Sequence, residues 1–136
     1  MKNLAEIKKE NMWRAVMSQI YKAKKEILAT MDIAEELKNP LPKKYFSLLY
    51  KKHKEGIKIK RVIFGSTKQY KHLLKEAVDK NLFFIGKHTK STNYKRMILI
   101  DRSKLFFSRG HGGKKKFYFT TDEIYLKEYL DYFNEI

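Results

Sequence analysis

Two apolar runs of strand length, "EILATMDI" at residues 26–33 and "IKIKRVIF" at 57–64, flank a proline-interrupted stretch that reads as helix. This alternation constrains the chain more than any other feature, because strands separated by helices imply a parallel sheet covered by helices. The first run directly follows a helical pattern, so a continuation of that helix is the alternative for so short a segment. Pro40 and Pro42 disfavour helix at Asn39 and Leu41. A helix is predicted over 42–55, with Pro42 in its first turn and Gly56 as its stop. The second run starts by alternating and then becomes continuously apolar, as a strand entering a core does.

The flanks follow the same logic. Residues 4–25 predict one long amphipathic helix, with Trp13, Val16, Met17 and Ile20 on one stripe and Leu4, Ile7 and Ala23 near it. Trp13 is expected as a core or interface anchor. A helix over 67–80 starts at Ser66 or Thr67 and ends at Asn81. "LFFIG" at 82–86 predicts a strand and 87–93 a polar loop. Residues 94–101 and 104–108 predict a hairpin, and "FYFT" at 117–120 a last strand. The final helix starts at Thr121 or Asp122, with Ile124, Leu126, Tyr129, Leu130 and Phe133 as its apolar face. The expected fold is α/β: a mixed β-sheet flanked by helices, in one domain over 1–136.

Charge narrows the function. The chain carries +16, and residues 39–119 hold 22 Lys/Arg against 4 Asp/Glu. The last 17 residues carry a net −4. Such a field attracts polyanions: nucleic acid, an acidic membrane surface or phosphorylated ligands. Cysteine is absent, which rules out disulfides and thiolate metal sites. His53, His72, His88 and His111 have no second ligand at metal spacing, so no metal is expected, and no cofactor signature is present. No apolar run nears the roughly 18–20 residues that span a bilayer, and no apolar stretch follows the charged N-terminus as in a signal peptide. A cytoplasmic location is the expectation. "RGHGGKKK" lacks the spacing of a nucleotide-binding phosphate loop and reads as a basic loop between strands.

The stretch "NYKRMILIDRSKLFFS", residues 93–108, carries more. With the order of segments around it, it resembles one repeat of the phospholipase D-like superfamily. It is similar to the related sensor domain of TrmB-type archaeal regulators. The superfamily signature is H-x-K-x-x-x-x-D followed by a small pair. Laid on this chain, Tyr94 takes the histidine position, Arg96 the lysine and Asp101 the aspartate, with Ser108 and Arg109 at the pair. In that family the histidine attacks phosphorus, a second histidine protonates the leaving oxygen, and the lysine neutralises the phosphoryl group. A tyrosine, with a pKa near 10, is a poor substitute. Arg96 retains the capacity to bind phosphate.

The resemblance therefore implies a non-catalytic phospholipase D-like module. Tyr94, Lys95, Arg96, Asp101, Ser108 and Arg109 would line a phosphate or ligand site. Lys58, Lys60, Arg61, Lys114, Lys115 and Lys116 would meet nucleic acid, in transcription regulation or DNA/RNA transactions. The alternatives are a small-ligand sensor without a DNA-binding half, taking a sugar or a phosphorylated metabolite, and a remnant phosphodiesterase or nuclease. Active members bring two repeats together, so a homodimer is expected, through the Trp13 helix or the aromatic C-terminal helix.

Overall fold

In the computed structural model, which describes residues 4–80, 86–110 and 114–136, the chain runs as follows. Strand β1 (Leu4–Ile7) leads through a 3₁₀ turn (Lys9–Asn11) into α1 (Met12–Tyr21). Then come β2 (Glu26–Asp32), α2 (Ile33–Lys38), α3 (Lys43–Lys54), β3 (Lys58–Phe64) and α4 (Thr67–Asp79). The chain closes with β4 (Lys87–Thr89), β5 (Met97–Ile100), β6 (Lys104–Arg109), β7 (Lys116–Thr120) and α5 (Glu123–Glu135). The strands form one mixed sheet in the order β1-β7-β6-β5-β2-β3-β4. β2, β3 and β4 are parallel, and β5, β6, β7 and β1 continue the sheet antiparallel from the other edge of β2.

Alternation along the strands divides the core in two. Ile27, Met31, Ile59, Ile63, Ile100 and Phe106 face α1 and α3, packing against Val16, Ile20, Tyr45 and Leu49. Leu28, Val62, Phe64, Leu99, Leu105 and Phe107 face α5, packing against Tyr125, Tyr129, Tyr132 and Phe133. Local chemistry sets the element ends. Ser66 caps α4 in a reciprocal box with Gln69, at 3.1 and 2.9 Å. Asp122 caps α5, and Gly56 follows α3 with φ +90°, the left-handed region a glycine reaches without strain.

Several sequence expectations need correction. Residues 4–7 are not the start of a helix. They pair with β7, from Leu4↔Thr120 to Ile7↔Phe117, because an open sheet edge satisfies their backbone and outweighs local propensity. The run 26–33 is a strand only to Asp32. A short helix, α2, follows, and Asp32 caps it by accepting from Glu35 N at 3.1 Å. Part of the predicted loop 87–93 is the edge strand β4, held by parallel pairing to β3. The predicted strand at 82–86 lies outside the described residues apart from Gly86. On α5 Leu126, Tyr129, Leu130 and Phe133 face the core as expected, but Ile124 is exposed, and Tyr125 and Tyr132 complete the face.

The turn between β5 and β6 is tied to the start of β2. Asp101 and Arg102 adopt φ of 52° and 55°. The Asp101 carboxylate accepts from the N–H groups of Lys24, Lys25 and Glu26 at 2.9, 2.7 and 2.9 Å. Partial burial pushes its pKa up, but the three amide donors outweigh this and hold it below the usual range. A depressed folded pKa means that the stabilisation is complete above the ordinary carboxylate range. It is lost as pH falls through the folded value. Asp101→Ala loses charge-assisted bonds and strains a left-handed residue, and should cost about 2–4 kcal/mol at neutral pH. Asp101→Asn, which tolerates that φ, should cost less. Urea unfolding should show the gap between wild type and Asp101→Ala closing towards pH 3. Equal stability of the two at pH 7 would refute the tie.

Candidate functional site

β2 has a parallel neighbour on one edge and an antiparallel neighbour on the other. At its carboxyl end the chain leaves through α2, and a crevice opens there. The cavity measures about 560 Å³ and is bounded by α1, α2 and the starts of β5 and β7. Thr30 fixes one wall. Its hydroxyl donates to Lys95 O at 2.6 Å and accepts from Met97 N at 3.1 Å. Tyr132 of α5 fixes the segment before β5. Its hydroxyl donates to Asn93 O at 2.6 Å and accepts from Lys95 N at 2.8 Å.

Glu35 is the electrostatic centre of this cavity. Its carboxylate takes Arg96 Nη1 at 2.7 Å and Lys115 Nζ at 3.2 Å. The Arg96 guanidinium also lies 5.8 Å from the Trp13 ring and 5.5 Å from the Phe117 ring, within cation–π range. Deeper in, both oxygens of Glu36 accept from Leu41 N at 3.1 Å, and burial raises its pKa. Asp32, Glu35 and Glu36 thus face Lys9, Arg96 and Lys115 in one cavity with aromatic walls. These charges balance. The site offers donors, acceptors and ring faces to a polar molecule, but an incoming phosphate must compete with Glu35 for its cations.

The predicted site residues fall in separate places. Tyr94 and Arg96 line the cavity. The Tyr94 ring packs on Phe64 at 5.3 Å, and burial raises its phenol pKa far above the ordinary value. That burial disfavours the phenolate form. Lys95 is exposed, with Nζ 5.2 Å from the Tyr132 ring on the α5 side. Asp101 does not join Arg96. The two flank β5, roughly 16 Å apart along an extended chain, and Asp101 is fully engaged as a turn anchor. Ser108 is half-buried opposite Phe117, and Arg109 lies over the Phe107 and Tyr125 rings at 5.1 and 5.7 Å.

Of the predicted nucleic-acid contacts, Lys58, Lys60, Lys114 and Lys116 are exposed, while Lys115 is held by Glu35. Arg61 is buried at 3% exposure, 5.7 Å from the rings of both Tyr45 and Phe46. Strand alternation turns it away from Lys58 and Lys60, so it is not a surface contact. Trp13 does anchor α1 on Tyr45 at 5.2 Å, but it also lines the cavity. Glu35 was missed, since no local pattern marks a carboxylate that collects two distant cations. Among the described residues, no group of three or more His, Asp or Glu is placed to hold a metal, and no helix is long and apolar enough to cross a membrane.

Removing the Glu35 charge while keeping its shape should expose Arg96 and Lys115 to anions. Inorganic phosphate at ten times its Kd is expected to raise the melting temperature of Glu35→Gln by about 3–6 °C, with little effect on wild type. Equal shifts in both proteins would show that Glu35 does not hold the two cations.

No protein-family model matches this chain, and no curated protein matches it by sequence. A solved structure of TrmBL2, an archaeal chromatin protein with a novel mode of DNA binding, shares its fold. The TM-score is 0.69 over 99% of this chain, at 14% sequence identity. The match covers 51% of the TrmBL2 chain, so this chain spans about half of that length. The TrmB side of the sequence resemblance thus has a structural counterpart, whereas the phospholipase D side has none among these comparisons. In architecture, the chain is similar to about half of a TrmB-like chromatin protein.

Proposed function

We propose that this chain is a non-catalytic binding module that holds nucleic acid through its basic surface, in transcription regulation or another DNA or RNA transaction. The observation that carries this reading is the distribution of charge in the folded chain. Carboxylates such as Glu26, Glu35, Glu55 and Asp101 are engaged in internal contacts, while Lys22, Lys24, Lys25, Lys58, Lys60 and Lys114 stand at the surface. Surplus exposed cations are what a polyanion engages, through release of its counterions. The DNA-binding TrmBL2, with the same fold, is consistent with it.

The phospholipase D-like kinship belongs to the same reading, as ancestry without chemistry. A partly buried Tyr94 with a raised pKa and an Asp101 committed to three backbone amides argue against hydrolysis. Pairing of two copies and a cytoplasmic location are further parts of the proposal, the first open to light scattering. A second reading, a small-ligand sensor, is favoured by the aromatic-walled cavity around Glu35 and Arg96. Stabilisation by a sugar or sugar phosphate in a thermal-shift screen supports it, and its absence across such a screen counts against it.

For the main reading, a labelled duplex should bind at roughly 50 mM salt and lose about 10³-fold in affinity or more by 200 mM. Absence of binding to any DNA or RNA at low salt, or an affinity indifferent to salt, would remove it.

A further inference from the structure

The pole of the sheet opposite the cavity gathers three turns. They are residues 22–25 before β2, 55–57 before β3, and 101–103 between β5 and β6. Asp101 binds the amides of the first turn, and Lys58 N donates to Lys25 O at 3.0 Å, so the three are held as one surface. Lys24, Lys25, Lys51, Lys54, Lys58 and Arg102 are all exposed there. The carboxylates nearby are engaged: Glu26 by Arg102, Glu55 by Lys52 and Asp101 by backbone amides. The cavity is balanced in charge; this pole is not.

Two rings stand exposed within it. Tyr21, at the end of α1, is 61% exposed, and Tyr50 on α3 is 46% exposed. Two lysines approach Tyr21. Lys51 and Lys52 place their Nζ atoms 4.9 and 5.8 Å from its ring. The buried Lys52 also donates to Tyr21 O at 2.7 Å and to Glu55 at 3.2 Å. Lys54 lies 5.8 Å from the Tyr50 ring. Lysines in the last turn of α3 complement the negative end of its dipole. That accounts for neither Lys24, Lys25 and Lys58 nor the exposure of the two rings.

We infer that this pole seats a single-stranded nucleic-acid segment, with phosphates along Lys24, Lys25, Lys54 and Lys58 and an unpaired base stacked on Tyr21. Fixed cations track a backbone of either strandedness, but an exposed ring gains only from a base whose face is free. A duplex hides those faces and is left with the cations alone. The inference rests on the nucleic-acid reading above. It adds a location and a preference, and can fail while that reading stands.

Fluorescence anisotropy of the full chain, with single-stranded DNA and RNA of about 12 nucleotides and the matching duplex, tests it at low salt. Tyr21→Ala should weaken single-strand binding roughly 5- to 100-fold, with little effect on the duplex. Tyr21→Phe should bind as wild type. Lys24→Glu combined with Lys54→Glu and Lys58→Glu should weaken both strand types, whereas Lys114→Glu with Lys116→Glu should leave the Tyr21 effect intact. Circular dichroism melting checks that each variant is folded. If wild type binds no nucleic acid, the general reading fails. If it binds, but pole variants match wild type while the Lys114/Lys116 variant loses binding, only this location fails. Equal loss on duplex and single strand in Tyr21→Ala overturns the stacking. Tighter binding to phosphatidylserine vesicles, lost in the same triple variant, overturns the partner.

Discussion

At the start of β2, three consecutive backbone N–H groups converge on the carboxylate of Asp101, from 77 to 75 residues away in sequence. β2 is where the sheet changes character. Its β3 edge is parallel and its β5 edge antiparallel, and Asp101 clamps the antiparallel half to the parallel half at their junction. Three charge-assisted bonds to one carboxylate hold more firmly than neutral turn bonds would. They do so at a residue whose left-handed φ makes the turn possible. The register of β5 against β2, and hence the placing of Arg96 at the far end of β5, follows from that clamp.

Two poles with different electrostatics result. At the carboxyl end of β2, Glu35 draws Arg96 and Lys115 together, and the cavity becomes polar and balanced, with Trp13, Tyr94 and Phe117 as walls. At the amino end, the carboxylates are taken up by backbone amides, by Arg102 and by the buried Lys52, and the remaining cations face water around Tyr21. A uniform description of the chain as basic hides this division.

Periodicity revealed most of the elements, because burial of one face writes itself into the spacing of apolar residues. The strands at 26–32, 58–64 and 116–120 and the helices α3, α4 and α5 were legible in this way. β1 was not, since "LAEI" fits a helical stripe and becomes a strand only by pairing with β7. β4 was not, since "KHT" is polar and owes its strand geometry to β3. The candidate site was legible in part. Arg96 and Tyr94 do line a cavity, whereas Asp101, equally well placed in the motif, is a structural tie. Arg61 looked like a surface cation beside Lys60, yet one step along a strand reverses the face.

The sequence by itself determined an α/β chain with early parallel and later antiparallel strands, a concentrated positive charge, and a tyrosine, Tyr94, ahead of the β5–β6 hairpin. These are local or summed properties: apolar spacing, residue counts, and the chemistry of one side chain. Only the tertiary structure decided which charges neutralise each other. Glu35 meets Arg96 61 residues away and Lys115 80 residues away. Lys52 reaches back 31 residues to hold Tyr21 in place beside the exposed lysines. Electrostatic energy depends on separation in space, and that separation exists only once the sheet has closed around β2.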